Sequence, residues 1–357
     1  MKIEWIPSKT INHVRVRELL QPSIDKNQFT NGGICVKRFE RYIREKFEIK
    51  GNKGVICVTN GTVALDVIAR AFDILDEKDN KWITSSFTFP SSAQVKGGRC
   101  TRIIDIDRDG GPDMKDPSIK SADGLFVTTV FGNLPRIDEY EHFGRENKIR
   151  IVFDNAATPY SFFQGENSLN RGDASIVSFH HTKAMGFAEL GVCVVSRDLE
   201  PIVRKLINFG ISNTDMNPKW DILGMNGKAS EISVSYVHAF VEENFEKTVI
   251  HHQMLYEEFT GKLKRFEPEK VKMFPNFSSE TPLVPCLCLI FHKNTDHLVD
   301  MFTNCSIYTR KYYNPLDTSC KNSVHLHDHI ICLPCHLEVS IETLDEYIEI
   351  IGNFLSS

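Results

Sequence analysis

The sequence lacks a long apolar run. No stretch of about 18 uncharged apolar residues occurs in the 357-residue chain, so no membrane-spanning helix is expected. It also lacks a basic excess. Forty-two Lys and Arg stand against 47 Asp and Glu, a net charge of −5, so there is no general electrostatic reason to bind nucleic acid or an anionic membrane. The first residues, MKIEWIPSKTINHVRVRELL, contain no apolar core followed by a small-residue cleavage site, and no secretory signal is expected. Internal repeats, low-complexity tracts and long runs of one charge are missing. Cysteine is present, with ten residues, but not in paired spacing. Cys332-Leu-Pro-Cys335 has no second CxxC near it, which argues against zinc or a redox motif. Cys57, Cys193, Cys286 and Cys288 lie inside apolar runs, where a thiol serves as a small hydrophobe. The set reads as reduced thiols in a cytoplasmic protein.

What is present is an alternation of short apolar runs with amphipathic ones. Strands are expected at 54–60, 81–87, 101–107, 124–132, 150–154, 174–180 and 191–196. Helical spacing follows the first strand over 61–75 (Ala64, Leu65, Ile68, Phe72, Leu75) and recurs at 138–148. This order predicts an α/β fold with a mainly parallel sheet covered by helices on both faces. A long helix over 232–263 leads out of it. The remainder mixes a strand at 283–291 with a helix at 342–355, as in a smaller α+β domain. The expected division is 1–245 for the large domain with its N-terminal segment and 246–357 for the small one.

Ligands of open α/β sheets bind beyond the carboxyl ends of the strands, and polar residues end four of the expected strands. Asn60-Gly61-Thr62 forms a small turn that opens a helix and suits a phosphate; taken alone it reads first as a plain turn with Thr62 as a cap. Asp154 ends a buried strand and could face a cation or a protonated nitrogen, or cap the next turn. Ser178 is followed at a distance of five by Lys183, whose amine near the apolar mouth of a sheet would lose solvation and become a Schiff-base nucleophile. Phe89 follows another strand and could stack on a planar ring or belong to the core. The adjacent His180 and His181 point to opposite faces of an extended segment and form a poor chelate. His325, His327 and His329 sit in a polar stretch that reads as a solvated loop. No metal site is assigned.

Together and in order these segments resemble the DegT/DnrJ/EryC1/StrS family of nucleotide-sugar aminotransferases, enzymes of the fold-type I pyridoxal phosphate class. The resemblance covers nearly the whole chain. Phe29-Thr30-Asn31-Gly32 with Phe39-Glu40 is similar to the family's entry segment. Asn60-Gly61-Thr62-Val63-Ala64-Leu65 resembles its SGTxAL turn and Phe87-Thr88-Phe89 its TF or TW segment. Ser178-Phe179-His180 through Lys183 resembles SFHxxK, the most diagnostic element together with the upstream Asp154. Glu189-Leu190-Gly191 stands where the family has EGG, and Gly224-Met225-Asn226 with Ser230-Glu231 resembles GxNxRxSE. The tail is similar at Arg310 to Leu316 and at Leu333 to His336. Three departures stand out: Ala157 replaces a polar residue, Leu190 replaces a Gly and Lys228 replaces an Arg.

The resemblance implies that Lys183 and Asp154 are catalytic. Lys183 would carry pyridoxal 5′-phosphate and shuttle the proton, and Asp154 would keep the ring nitrogen protonated. Asn60, Gly61, Thr62 and Ser178, with Asn226 from a neighbouring subunit, would hold the phosphate, and Phe89 would cover the ring. Arg310, Tyr312, Tyr313 and His327 are candidates for the nucleotide-sugar. The implied reaction takes an amino group from L-glutamate to C4 of a UDP- or dTDP-linked 4-keto-6-deoxyhexose, of the viosamine type, in a homodimer. Amination at C3, a sugar dehydratase and a non-catalytic regulator are the alternatives. Lys183 argues against a dehydratase, because relatives of that kind carry His there.

Overall fold

The structure is a computed structural model that describes residues 2–98, 101–132, 137–211, 219–274 and 283–357. Two helices, α1 (His13–Asp25) and α2 (Ile34–Lys46), precede the first strand. The alternating region then runs β1 (Lys53–Val58), α3 (Gly61–Leu75), β2 (Trp82–Ser85), β3 (Thr101–Ile104), β4 (Gly124–Thr128), α4 (Ile137–Asn147) and β5 (Arg150–Asp154). A short hairpin, β6 (Phe162–Phe163) and β7 (Glu166–Asn167), leads to β8 (Ala174–Ser178), β9 (Gly191–Ser196) and α5 (Leu199–Leu206). Helix α6 (Glu231–Leu263) is followed by β10 (Val271–Met273), β11 (Leu287–Phe291), α7 (Asp296–Asn304), α8 (Lys321–His329), β12 (Ile330–Leu333) and α9 (Ile341–Ser356).

Seven strands form one sheet in the order β1-β9-β8-β5-β4-β2-β3. Six run parallel to one another. Strand β9 is reversed and pairs antiparallel with both β1 and β8. The fold is therefore the expected α/β sheet, mainly parallel. Its strands are apolar on both faces because both are covered. Ile56, Val58, Ile176, Cys193 and Val195 pack on α3 and α5, while Val55, Cys57, Val177, Val192 and Val194 pack beneath α2 and α6. Leu75, expected on the buried face of α3, is exposed at its last turn.

The long helix α6 joins two cores. Val234, Val237, Val241 and Phe245 belong to the large sheet, whereas Leu255, Phe259 and Leu263 pack with β10, β11 and β12, which form a three-stranded antiparallel sheet. The 245/246 division falls inside this helix. Ile3 also joins the second core. Strand β11 begins later than the expected 283, after Pro285, which offers the ladder no N–H. Residues 325–329, read as a solvated loop, lie in the last turns of α8 (Lys321–His329).

Glu231, at the start of α6, is fully buried and caps a different helix. Its carboxyl oxygens accept from the backbone N–H groups of Gly33 (2.8 Å) and Cys35 (2.7 Å) and from the Ser23 hydroxyl (3.1 Å). Helix α2 has no side-chain cap of its own, so this residue satisfies donors that would otherwise be orphaned. Among the described residues no helix is long and apolar enough to cross a membrane.

Candidate active site

The carboxyl ends of β1, β2, β4, β5 and β8 meet the start of the reversed β9, and between them lies a cavity of ≈ 430 Å³. Asn60, Gly61, Thr62, Phe89, Asp154, Ser178 and Lys183 all line it, as do Tyr312 and Tyr313 from the loop before α8. The turn at residues 59–62 opens α3, with a different cap from the one expected. The Asn60 side chain, not Thr62, caps α3 by accepting from Val63 N–H at 2.9 Å. This leaves the first N–H groups of α3, at Gly61 and Thr62, without intrahelical acceptors at the cavity. Ser178 Oγ accepts from His180 N–H at 3.2 Å, so its own proton is available to a ligand. Gly61 sits close over Ser178; a Cβ there would stand 3.3 Å from Ser178 Cβ.

Gly191 is opposite both Val58 and Ser178 in the sheet register. A Cβ on it would lie 2.3 Å from the carbonyl carbon of Asn60, an impossible contact with backbone. The strand reversal and the anion turn thus share one glycine. Gly191→Ala is expected to displace the turn and lower the transamination rate by about 10²-fold, read as kcat with L-glutamate, on the usual cost of a 1 Å misplacement.

Asp154 is 3 % exposed. One carboxyl oxygen accepts from Ala156 N–H (3.0 Å), the other from Ser92 Oγ–H (3.2 Å). Burial pushes its pKa up, against the opposing pull of these bonds and of Lys183. Burial in turn pushes the Lys183 amine down, with Asp154 opposing. Lys183 Nζ has no hydrogen-bond partner among the described residues. A carboxyl group and an amine, both desolvated and incompletely partnered in one cavity, are a common mark of a functional site.

The other expected residues are placed differently. Asn226 is exposed and does not line this cavity. Arg310 and His327 do not line it. The Arg310 guanidinium donates to Thr309 O and lies 5.9 Å from the Trp5 ring, while His327 faces Asp328 on α8. Lys228 lies over the Phe209 ring at 4.2 Å. Leu190 is fully buried in the core beneath α2 and α6, whereas Glu189 reaches the cavity. Ala157 lines the cavity without a polar atom to offer it. The sequence reading missed Thr128, Thr129 and Ser91, which line the same wall. Among the described residues no group of three or more His, Cys, Asp or Glu could hold a metal ion.

A helix N-terminus, a buried acid and a desolvated lysine thus meet at the end of a mainly parallel α/β sheet, a set that suits a lysine-dependent cofactor enzyme. The chain belongs to the DegT/DnrJ/EryC1/StrS aminotransferase family, whose sequence profile matches residues 11–352. It is an aminotransferase, and its cofactor is pyridoxal 5′-phosphate. The chain is 26% identical over 349 residues to a dTDP-4-amino-4,6-dideoxy-D-glucose transaminase of Shigella dysenteriae, covering 90% of each. In structure it resembles Helicobacter pylori PseC, an aminotransferase of pseudaminic acid biosynthesis, with a TM-score of 0.86, 15% identity and full coverage of both chains. It also resembles the PLP form of a sugar aminotransferase from Streptococcus pneumoniae, with a TM-score of 0.84 and 17% identity over 100% of this chain and 99% of that one. At these identities the two structures speak for the fold.

The residues fit the cofactor. The Gly61–Ser178 cradle and the α3 N–H groups suit its phosphate, Asp154 retains acceptor capacity for the ring N–H, and Lys183 Nζ is free to bond.

Proposed function

We propose that the protein transfers an amino group from L-glutamate to C4 of a nucleotide-linked 4-keto-6-deoxyhexose, carried on UDP or dTDP. The products are 2-oxoglutarate and a 4-amino-4,6-dideoxy sugar nucleotide of the viosamine type. The observation that carries this reading is Lys183, an amine held in one cavity with a buried Asp154. The name of the Shigella relative supports the sugar position.

When bound, pyridoxal phosphate supplies the electron sink that makes the donor's α-proton removable. The chain supplies the rest. Lys183 Nζ, driven toward the neutral form by burial, would take the proton from the donor carbon and deliver it to the carbonyl-derived carbon of the cofactor rather than back to the donor. The Asp154 carboxylate holds the ring nitrogen protonated. Asn60, Gly61, Thr62 and Ser178 bind the phosphate with N–H and O–H groups. Phe89, 58 % exposed at the mouth, covers the ring, and Tyr312 and Tyr313 form the wall facing the sugar.

The active unit in this proposal is a homodimer in the cytoplasm. Asn226 is exposed and does not line its own cavity, and Phe209, Trp220 and Leu223 near it in sequence are exposed, the last two at 67% and 73%. Such exposed apolar side chains suit a face covered by a second copy. The described cysteines are all free thiols, in keeping with a reducing compartment. An active monomer in sedimentation would refute the shared site.

The test is incubation with L-glutamate and a panel of UDP- and dTDP-linked keto-sugars, with NMR of the product. Amine at C4 of a 6-deoxyhexose is the expected result. Amine at C3, loss of water without amine, or no turnover of any sugar would each overturn the proposal.

A further inference from the structure

Lys9 is separated from Lys183 by 174 residues, yet its ammonium sits against the loop that carries Lys183. Nζ donates to His181 O (2.6 Å), Lys183 O (2.6 Å) and Gly186 O (2.7 Å). It forms no ion pair among the described residues. The face of the Phe240 ring lies 5.1 Å away. An ammonium has three N–H donors and three convergent carbonyls use all of them. Burial pushes Lys9 down to about 8, and the three oxygens, which only the protonated amine satisfies in full, oppose that loss.

The loop is tight. Lys183 N–H donates to His180 O (2.8 Å), Gly186 N–H to Lys183 O (2.9 Å) and Phe187 N–H to Phe179 O (3.1 Å). A Cβ on Gly186 would fall 1.8 Å from His180 O. Three carbonyl dipoles aimed at one point repel each other unless a cation sits there. Without Lys9 the peptide planes at 181, 183 and 186 would relax apart, and the Lys183 side chain would move with them.

The residues just before Lys9 are fastened elsewhere, to the unit built on the three-stranded sheet. Ile3 N–H donates to Ser306 O and Tyr308 N–H to Ile3 O, both at 2.9 Å. Glu4 O accepts from His336 Nε2 (2.8 Å), the Trp5 ring meets Tyr312 edge-on, and Ser8 N–H donates to Glu338 (3.1 Å). Residues 3–9 therefore form a strap. One end holds the unit that contributes Tyr312 to the cavity wall, and the other holds the backbone of Lys183.

We infer that Lys9 is a positioning residue for Lys183, an internal cation whose three carbonyl bonds fix the lysine loop and tie its placement to the smaller unit. The inference rests on the reading that Lys183 carries the cofactor.

The test compares wild type, Lys9→Met and Lys9→Ala. Borohydride reduction of the loaded wild type, followed by peptide mapping, checks first that the cofactor is on Lys183; failure there overturns the reading of Lys183 itself. Given that result, Lys9→Met is expected to lower kcat by about 10²-fold with the KM for L-glutamate within about twofold, the mark of misplacement rather than lost binding. In the cofactor-free chain, amide exchange should accelerate at Lys183, Gly186 and Phe187 and stay unchanged in β1 and β5. Lys9→Ala leaves room beside an existing cavity of ≈ 160 Å³, and ethylammonium should restore a measurable part of kcat there. Tetramethylammonium, of equal charge but without N–H donors, should not. Unchanged kcat and loop exchange in Lys9→Met would overturn the assignment. So would equal rescue by the two cations, or none by ethylammonium.

Discussion

Lys183→Ala is expected to eliminate transamination, by about 10⁴-fold or more, and to remove the visible absorption of the lysine-bound cofactor while leaving the fold intact. Two effects add. The residue is both the point of covalent attachment and the group that moves the proton, and general acid–base catalysis alone contributes about 10²–10⁴-fold. The side chain is half-buried along the cavity wall and its amine makes no hydrogen bond within the described chain, so its loss breaks none, although the buried Asp154 loses a neighbouring positive charge. The sign of its linkage points the same way. Burial lowers the amine's pKa below its unfolded value of 10.5, so the charged form opposes folding. That penalty is complete below the folded pKa and fades as pH rises toward 10.5. The cofactor-free variant should therefore melt at or above wild type near neutral pH. Differential scanning calorimetry and an absorbance spectrum with added pyridoxal phosphate check both halves. Retained turnover with glutamate would remove Lys183 from the mechanism.

Much of the architecture follows from patterns that local physics makes visible. Helix α3 spans 61–75, as its apolar spacing predicts, and the turn before it carries an Asn cap. The direction of β9 was not legible. An apolar run such as GVCVVS suits either orientation, and here the tight return of residues 179–190 decides it. Phe179 N–H bonds Leu190 O and His181 N–H bonds Ala188 O, which folds the chain back beside β8. The histidines at 325, 327 and 329 misled by composition. In α8 the rings of His325 and His329 come together across one turn, 4.1 Å between centroids, and His327 turns elsewhere. Arg310 drew notice as part of the family-like tail, but it does not line the cavity: its side chain donates to the Thr309 carbonyl, lies near the Trp5 ring and meets the cavity through Tyr312.

The strand-end hydroxyls escaped for the opposite reason. Thr128 and Thr129 carry no charge and fit any β pattern, yet they fill the wall beside Asp154. Thr128 Oγ1 meets Thr88 Oγ1 at 2.6 Å, and Thr129 O–H is bonded into the buried Asn155–Thr158 group. Lys9 had no local signal at all, since its partners lie far along the chain. The departure at Ala157 acquires a location: it gives the cavity a methyl group, on a lining that also includes Thr128 and Thr129.

Asp154→Asn is expected to set catalysis against stability. A neutral amide cannot hold a ring nitrogen protonated, and loss of one preorganised charge of this kind costs about 10²–10³-fold in kcat. The substitution keeps the shape and most of the hydrogen bonding. Asn Oδ1 still accepts from Ala156 N–H, and Ser92 Oγ, a donor to the acid, becomes an acceptor from the new amide. In the cofactor-free chain the acid is a burden, because burial raises its pKa above the unfolded 3.8. A carboxyl group with a raised folded pKa binds its proton more tightly in the native state. Stability then falls as pH climbs from the unfolded value through the folded one, and the full penalty remains above it. The Asn variant carries no such penalty, so without cofactor it should be the more stable chain near pH 8, with the difference closing as pH drops toward 4. With cofactor bound the order should invert, since the carboxylate then faces a positive ring. Thermal melts of both chains, loaded and unloaded, between pH 4 and pH 8 read the crossing directly. A cofactor-free Asn variant less stable than wild type at pH 8, or one that retains full activity, would show that Asp154 is held for some other purpose than the ring nitrogen.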